Sequence, residues 1–177
     1  DLCIRRQGAI NSGAERLMVL SNPTYSDGQA RTALDGYKGA GQIALIPIKP
    51  DSVGQGTWAY TISASQALNG NISNTATKAD ADNITFKVYL DKGTYKIILV
   101  AARTTDSGIL DIDIDAVEVM SQDLYSGATV YNQIYEDAGN VIAASGLKSV
   151  KLRVDGKNGS STSYFVAVAC LIFMRTA

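Results

Sequence analysis

From residue 84 to the end of the chain, apolar residues recur at every second position in one short run after another: Ile84 to Leu90, Tyr95 to Ala101, Leu110 to Ile114, Val150 to Val154 and Tyr164 to Met174. A period of two places them on one face of a pleated strand, and glycine, aspartate or asparagine fills most gaps between runs. No helical periodicity interrupts the runs, so an alternating α/β fold is excluded. Strands are expected at about 57–63, 68–73, 83–90, 93–102, 108–115, 117–120, 128–135, 140–144, 148–155 and 163–174, some pairs being continuous. That many strands manage their edges by Greek-key crossing, so the expected fold is all-β: a jelly-roll-like antiparallel β-sandwich with an extended N-terminal arm. Asp91-Lys92-Gly93 and Asp155-Gly156-Lys157-Asn158-Gly159 carry turn chemistry and are expected to close hairpins.

Residues 1–50 differ in texture. Gly28 to Gly41 holds four glycines among small and polar residues, with short apolar patches before it (Leu17 to Leu20) and after it (Ile43 to Ile48). Such a segment has too little apolar surface to fold alone, and Pro47 and Pro50 read as a hinge. The expected division is an arm and hinge over 1–50 and a jelly-roll domain over 51–177, which is one domain's worth of chain in 177 residues.

Two runs, Tyr95 to Ala102 and Tyr164 to Met174, are apolar on both faces. One face meets the core and the other needs a second cover, from the arm or from another subunit. A homo-oligomer is therefore expected, with a trimer favoured.

Composition excludes several functions. With 46% hydrophobic and 19% charged residues and a formal charge of -1, the chain is neither disordered nor able to attract a polyanion, so nucleic acid is not an expected partner. The longest apolar stretch, Tyr164 to Met174, has strand length, which argues for a soluble protein without membrane insertion. No basic and apolar leader follows Asp1, so the numbered chain reads as processed, lacking its initiator methionine or cut from a larger product. The sequence contains no histidine, which removes Ser-His-Asp and Cys-His nucleophile systems and the usual zinc sites. Phosphate-binding and dinucleotide-binding glycine motifs are missing as well. The expectation is a non-enzymatic protein with no catalytic residues, no cofactor and no metal.

Three features still invite a chemical role. Asp111, Asp113 and Asp115 alternate with Ile112 and Ile114, placing the carboxylates on one strand face nearly 7 Å apart. A glycosidase pair would need a cleft and shifted pKa values, and calcium would need oxygens converging at 2.3–2.6 Å with help from a loop such as Thr104 to Ser107. A solvated outer face is the expected reading. Among nine tyrosines and the single Trp58, the set Tyr125, Tyr131 and Tyr135 falls in a loop-rich segment and forms the candidate ligand or interface surface, while Trp58 reads as a core anchor. Cys3 and Cys170 could close nearly the whole chain, but Cys170 sits in an alternation with Val166, Val168 and Ile172, where a free thiol packs as a small hydrophobe. Sequons at Asn71, Asn83 and Asn158 matter only in a eukaryotic secretory setting.

The segments Asp82 to Leu90, Gly93-Thr94-Tyr95, Gly108 to Asp115 and Gln122 to Ser126, with the closing Gly146-Leu147-Lys148, Val154 to Asn158, Ser160-Ser161 and Met174-Arg175-Thr176, resemble the jelly-roll domains of phage and other virion surface proteins. The resemblance covers about residues 57–177 and departs from the pattern at Ala116, where glycine is favoured after the aspartate. It implies a structural component of a virion or extracellular assembly, a capsid decoration protein or fibre head that mediates subunit assembly and surface attachment, with other virion proteins as partners. The competing class is a carbohydrate-binding β-sandwich module recognising surface glycans, its aromatic platform on a sandwich face or among the loops.

Overall fold

The computed structural model describes residues 49–62 and 70–176 in full, and outside these the strand backbones of 3–4, 18–21 and 42–45. The described residues form thirteen strands: β1 (Cys3–Ile4), β2 (Met18–Ser21), β3 (Gln42–Leu45), β4 (Ser52–Gln55), β5 (Trp58–Thr61), β6 (Asn71–Asn74), β7 (Asn83–Leu90), β8 (Gly93–Arg103), β9 (Gly108–Ile114), β10 (Val117–Asp123), β11 (Val130–Ile142), β12 (Gly146–Lys157) and β13 (Ala167–Arg175). They make two sheets. One has five strands in the order β10-β9-β12-β7-β4, all pairs antiparallel. The other has eight: β11 pairs β8, β8 pairs β13, and the far edge of β13 is shared by β6, which continues to β5, and by β3, which continues to β2 and β1. The β2–β3 pair is parallel. This is the jelly-roll sandwich expected from the alternating runs.

The core lies between the sheets. Ile84, Phe86, Val88 and Leu90 of β7, Leu110, Ile112 and Ile114 of β9, and Val150, Leu152 and Val154 of β12 face Tyr95, Ile97, Leu99 and Ala101 of β8 and Leu171 and Phe173 of β13. The register explains the fit: Leu152 is opposite Ile112 on one side and Ile84 on the other, so a row of branched side chains crosses three strands. Truncating one of these fully buried residues, Leu99 for example, would cost about 2–5 kcal/mol. Trp58 packs against this core while its indole N–H donates to the Gln55 carbonyl at 3.0 Å, so it anchors the sandwich edge.

Several connections differ from expectation. Asp91-Lys92-Gly93 does not close a hairpin, because β7 belongs to the five-stranded sheet and β8 to the eight-stranded one. Residues 155–159 likewise lead from β12 across to β13 in the other sheet, after β12 has run through Gly156 to Lys157. Turn residues report a chain reversal; they do not report which sheet receives the next strand. The true two-residue hairpin is Asp115-Ala116, between β9 and β10, with both residues left-handed (φ 50° and 65°) as a type I′ turn requires. Alanine stands where glycine would adopt this conformation without strain. The separate segments expected at 128–135 and 140–144 are one strand, β11, with register shifts at 130–133 and 137–140.

The second face of β8 and β13 carries its own small cluster, in which Ile98 and Ile172 are cross-strand partners, both buried, with Cys170 against them. They are buried within one chain, so drying this face does not call for a neighbouring subunit, and the argument for a homo-oligomer loses its premise. Cys170 is a free thiol, and burial pushes its pKa up to about 12. Cys3 belongs to β1, three strand positions from β13, or roughly 14 Å at ordinary inter-strand spacing, well beyond disulfide reach. Of the arm expected over residues 1–50, all but the three short strands, Lys49 and Pro50 lies outside the described residues.

Candidate functional site

Because β9, β12 and β7 turn every second residue inward, the intervening residues form the outer face of the five-stranded sheet. Register aligns them in rows. Ser121, Asp111, Arg153 and Asn83 form one row, and Glu118, Asp113, Lys151, Thr85 and Ser52 the next. Beyond these lie Ser149 opposite Lys87, then Leu147 opposite Tyr89. The face is polar at its centre and ends in an exposed aromatic ring, Tyr89 being 43% exposed.

Arg153 is the centre of this surface. Its Nη2 donates to Asp111 Oδ2 at 2.7 Å, its Nη1 lies 3.1 Å from Asp155 Oδ1, its Nε 3.7 Å from Asp113 Oδ2, and Nη2 is 3.9 Å from Glu118 Oε2. A planar guanidinium held from several sides cannot rotate freely. Burial alone would lower the Arg153 pKa, but Asp111, Asp155 and Asp113 hold it above its ordinary value. The Asp111 side chain is essentially inaccessible. Burial pushes its carboxyl up to about 6, with Asp155 and Glu118 adding to the rise and the Ser121 hydroxyl and Arg153 opposing it.

This arrangement corrects the expected solvated acidic face. Asp111 and Asp113 point outward from the core as the alternation requires, yet both are buried, because Arg153 and its neighbours close over them. Asp115 belongs to the hairpin turn instead, exposed, paired with Lys148 at 3.0 Å and accepting the Ser149 N–H at 2.9 Å. That backbone hydrogen bond, then Lys148, lowers its pKa. Asp111 and Asp113 converge on a guanidinium, and among the described residues no group of three or more His, Cys, Asp or Glu side chains is arranged to hold a metal ion. An open depression of about 560 Å³ lies elsewhere, lined by Asp91, Lys92, Thr94, Val141, Ser145 and Arg175.

Of the three tyrosines singled out from the sequence, one is withdrawn into the sandwich. Tyr135 turns inward and packs against the core, its hydroxyl buried without a hydrogen-bond partner and its pKa raised by that burial. Tyr131 is exposed on β11. Tyr125 sits among the loops at one end of the sandwich, where its N–H donates to Asp123 Oδ1 at 2.8 Å and its carbonyl accepts from Arg103 Nη2 at 2.7 Å. The network of that end is internal. Lys78 pairs with Asp106 and lies over the Phe165 ring, Asn158 donates to Asp123, and the fully buried Asn74 donates to Asp82 and the Tyr164 carbonyl while accepting the Val166 N–H. These side chains fasten loops to one another.

Sequence reasoning missed Arg153, Lys151, Lys87 and Tyr89. The signal was present in the alternation of Ser149, Lys151, Arg153 and Asp155 with Val150, Leu152 and Val154, but only the strand order puts Arg153 beside Asp111.

No protein-family model matches the sequence, and no curated protein matches it. Solved structures do. Part of Paenibacillus xanthan lyase superposes with a TM-score of 0.63 at 19% identity over 73% of this chain, which spans only 12% of the lyase. The CBM36-1 domain of a multidomain xylanase from the hindgut metagenome of Trinervitermes trinervoides gives 0.55 at 14% identity, covering 77% of this chain and 98% of the domain. A CBM36 carbohydrate-binding module in complex with calcium and xylotriose gives 0.50 at 18% identity, covering 73% and 98%. At these identities the likeness establishes the jelly-roll sandwich. None of the three is a virion protein, so the role implied by the phage resemblance gains no support from them.

Proposed function

We propose that this chain is a non-catalytic carbohydrate-binding β-sandwich acting outside the cell, and that the outer face of the five-stranded sheet is its glycan surface. The observation that carries this reading is Arg153, held by Asp111 and Asp155 among four carboxylates on rigid strands, on a face that ends in the exposed ring of Tyr89. Vicinal sugar hydroxyls are read by planar charged groups that donate or accept in pairs, and the apolar face of a sugar ring stacks on an aromatic side chain. Strands hold both kinds of group in place before the ligand arrives, which limits the ordering cost of binding. Asp111, its carboxyl pushed up to about 6, is closed off beneath Arg153 and cannot itself reach a glycosidic oxygen. The carbohydrate-binding modules of similar fold support the same choice over a virion role.

Affinity electrophoresis through gels containing soluble polysaccharides tests the proposal. Retardation of the wild-type chain, lost in Tyr89→Ala and kept in Tyr125→Ala, supports the sheet face. Retardation lost in Tyr125→Ala instead would move the site to the loop end.

A further inference from the structure

Two cations on the proposed glycan face have no carboxylate within ion-pair distance. Lys78, Lys96 and Lys148 each pair with a carboxylate at 2.9–3.0 Å, and Arg153 is surrounded by four. Lys87 and Lys151 make no ion pair among the described residues. Asp51 accepts the backbone N–H of Lys87 at 2.6 Å, Asp115 is paired with Lys148 and attracts Lys87 only at longer range, and Asp113, although opposite Lys151 in the ladder, turns to Arg153.

Register brings the two lysines together. Lys151 is opposite Thr85, two residues from Lys87 on the same strand, so the pair are diagonal neighbours roughly 7–8 Å apart at their backbones. Tyr89 follows Lys87 on the same face by one strand period, about 7 Å. Tyr89 is about 7 Å from Lys87 but roughly 14 Å from Lys151, so the three side chains span more than one sugar ring and suit an oligosaccharide carrying a negative charge. Resting on the reading of this face as a glycan surface, we propose that its ligand is a uronate-containing polysaccharide, with one sugar ring stacked on Tyr89 and the carboxylate of a neighbouring sugar received by Lys87 and Lys151. A neutral glycan would leave both ammonium groups without a close ion pair, whereas Lys148 and Arg153 on the same face each have one.

The test uses polygalacturonate, alginate and hyaluronan, each beside its carboxyl-reduced form, in affinity electrophoresis and calorimetry with the full chain. At least one acidic polymer is expected to bind, with affinity falling at least tenfold on carboxyl reduction and roughly tenfold for each of Lys87→Gln and Lys151→Gln. Both substitutions remove unpaired surface groups, so melting temperatures should stay at the wild-type value and confirm folding. Equal binding of the reduced polymers would overturn the acidic-ligand proposal and leave the glycan-binding reading standing. Acidic binding unaffected in the double variant would place the carboxylate elsewhere and overturn the lysine assignment. Failure to bind any of the six polymers would overturn both.

Discussion

Arg153→Met removes a charge while keeping most of an aliphatic stem, and its consequence should depend on pH in a way that a simple packing defect would not. In the wild type the guanidinium sits 2.7 Å from Asp111, whose side chain is 1% exposed. Removing one member of a buried ion pair costs about 3–5 kcal/mol, and the 29% exposure of the Arg153 side chain favours the lower end. The Asp111 carboxyl titrates near pH 6 in the fold, above its ordinary value of 3.8. Between these values the native state binds the proton more tightly than the unfolded chain does, so the stability this group contributes is full at low pH and is lost as pH rises through about 6. Arg153 opposes that rise; without it, Asp111 titrates higher still. A deficit of about 3 kcal/mol at pH 8 corresponds to a further displacement of about two pH units at 1.36 kcal/mol per unit. The variant should therefore melt about 6–12 °C below wild type at pH 8, but within about 3 °C of it at pH 5, where Asp111 is protonated in both proteins. Calorimetric melts at pH 5, 6.5 and 8 would measure this, and adding Asp111→Asn to the variant should erase the pH dependence. The same deficit at all three pH values would refute the buried-pair account.

Ala116→Gly relieves an alanine held at φ 65° and should stabilise the hairpin by about 1 kcal/mol, raising the melting temperature by about 2–4 °C; an unchanged or lower value would contradict the assigned turn. Asn74→Ala deletes three hydrogen bonds made by a fully buried side chain and should cost about 3 kcal/mol or more by urea unfolding, whereas a loss below about 1 kcal/mol would show that the loop end is fastened by other contacts. Cys170, its thiol pushed up to about 12, should resist alkylation at pH 8 in the native state and react in denaturant, as followed by mass mapping of its peptide; rapid native labelling would mean that this face opens. Melting in EDTA and in millimolar calcium should agree within about a degree, since a bound ion at 100 times its Kd would contribute about 2.7 kcal/mol; a clear calcium-dependent rise would require a site beyond those the described residues form.

The sandwich was legible in the sequence because period-two alternation is a local signal, and the runs at Ile84, Tyr95, Leu110, Val150 and Val166 all became inward rows. The hairpin assignments failed because the partner of a strand is a long-range fact: Asp91 to Gly93 has the composition of a tight turn, yet it carries the chain from one sheet to the other. The buried state of Asp111 was hidden for the same reason. Its outward direction could be read from Leu110 and Ile112, but its burial depends on Arg153, 42 residues away and adjacent only through the β9–β12 ladder. Tyr135 misled because residue type alone does not tell an aromatic platform from an aromatic core plug, and the register shifts of β11 decide which way it turns. Tyr89 went unremarked because in an alternating strand it looks like any outward residue.

Backbone amide chemical shifts, followed while an acidic oligosaccharide is titrated into the isotopically labelled chain, test the central claim most directly. The account predicts saturable changes at Thr85, Lys87, Tyr89, Lys151 and Arg153, on the outer face of the five-stranded sheet. Changes confined to the loops at 104–107, 124–129 and 158–166, or spectra that do not respond to any acidic or neutral oligosaccharide, would contradict it.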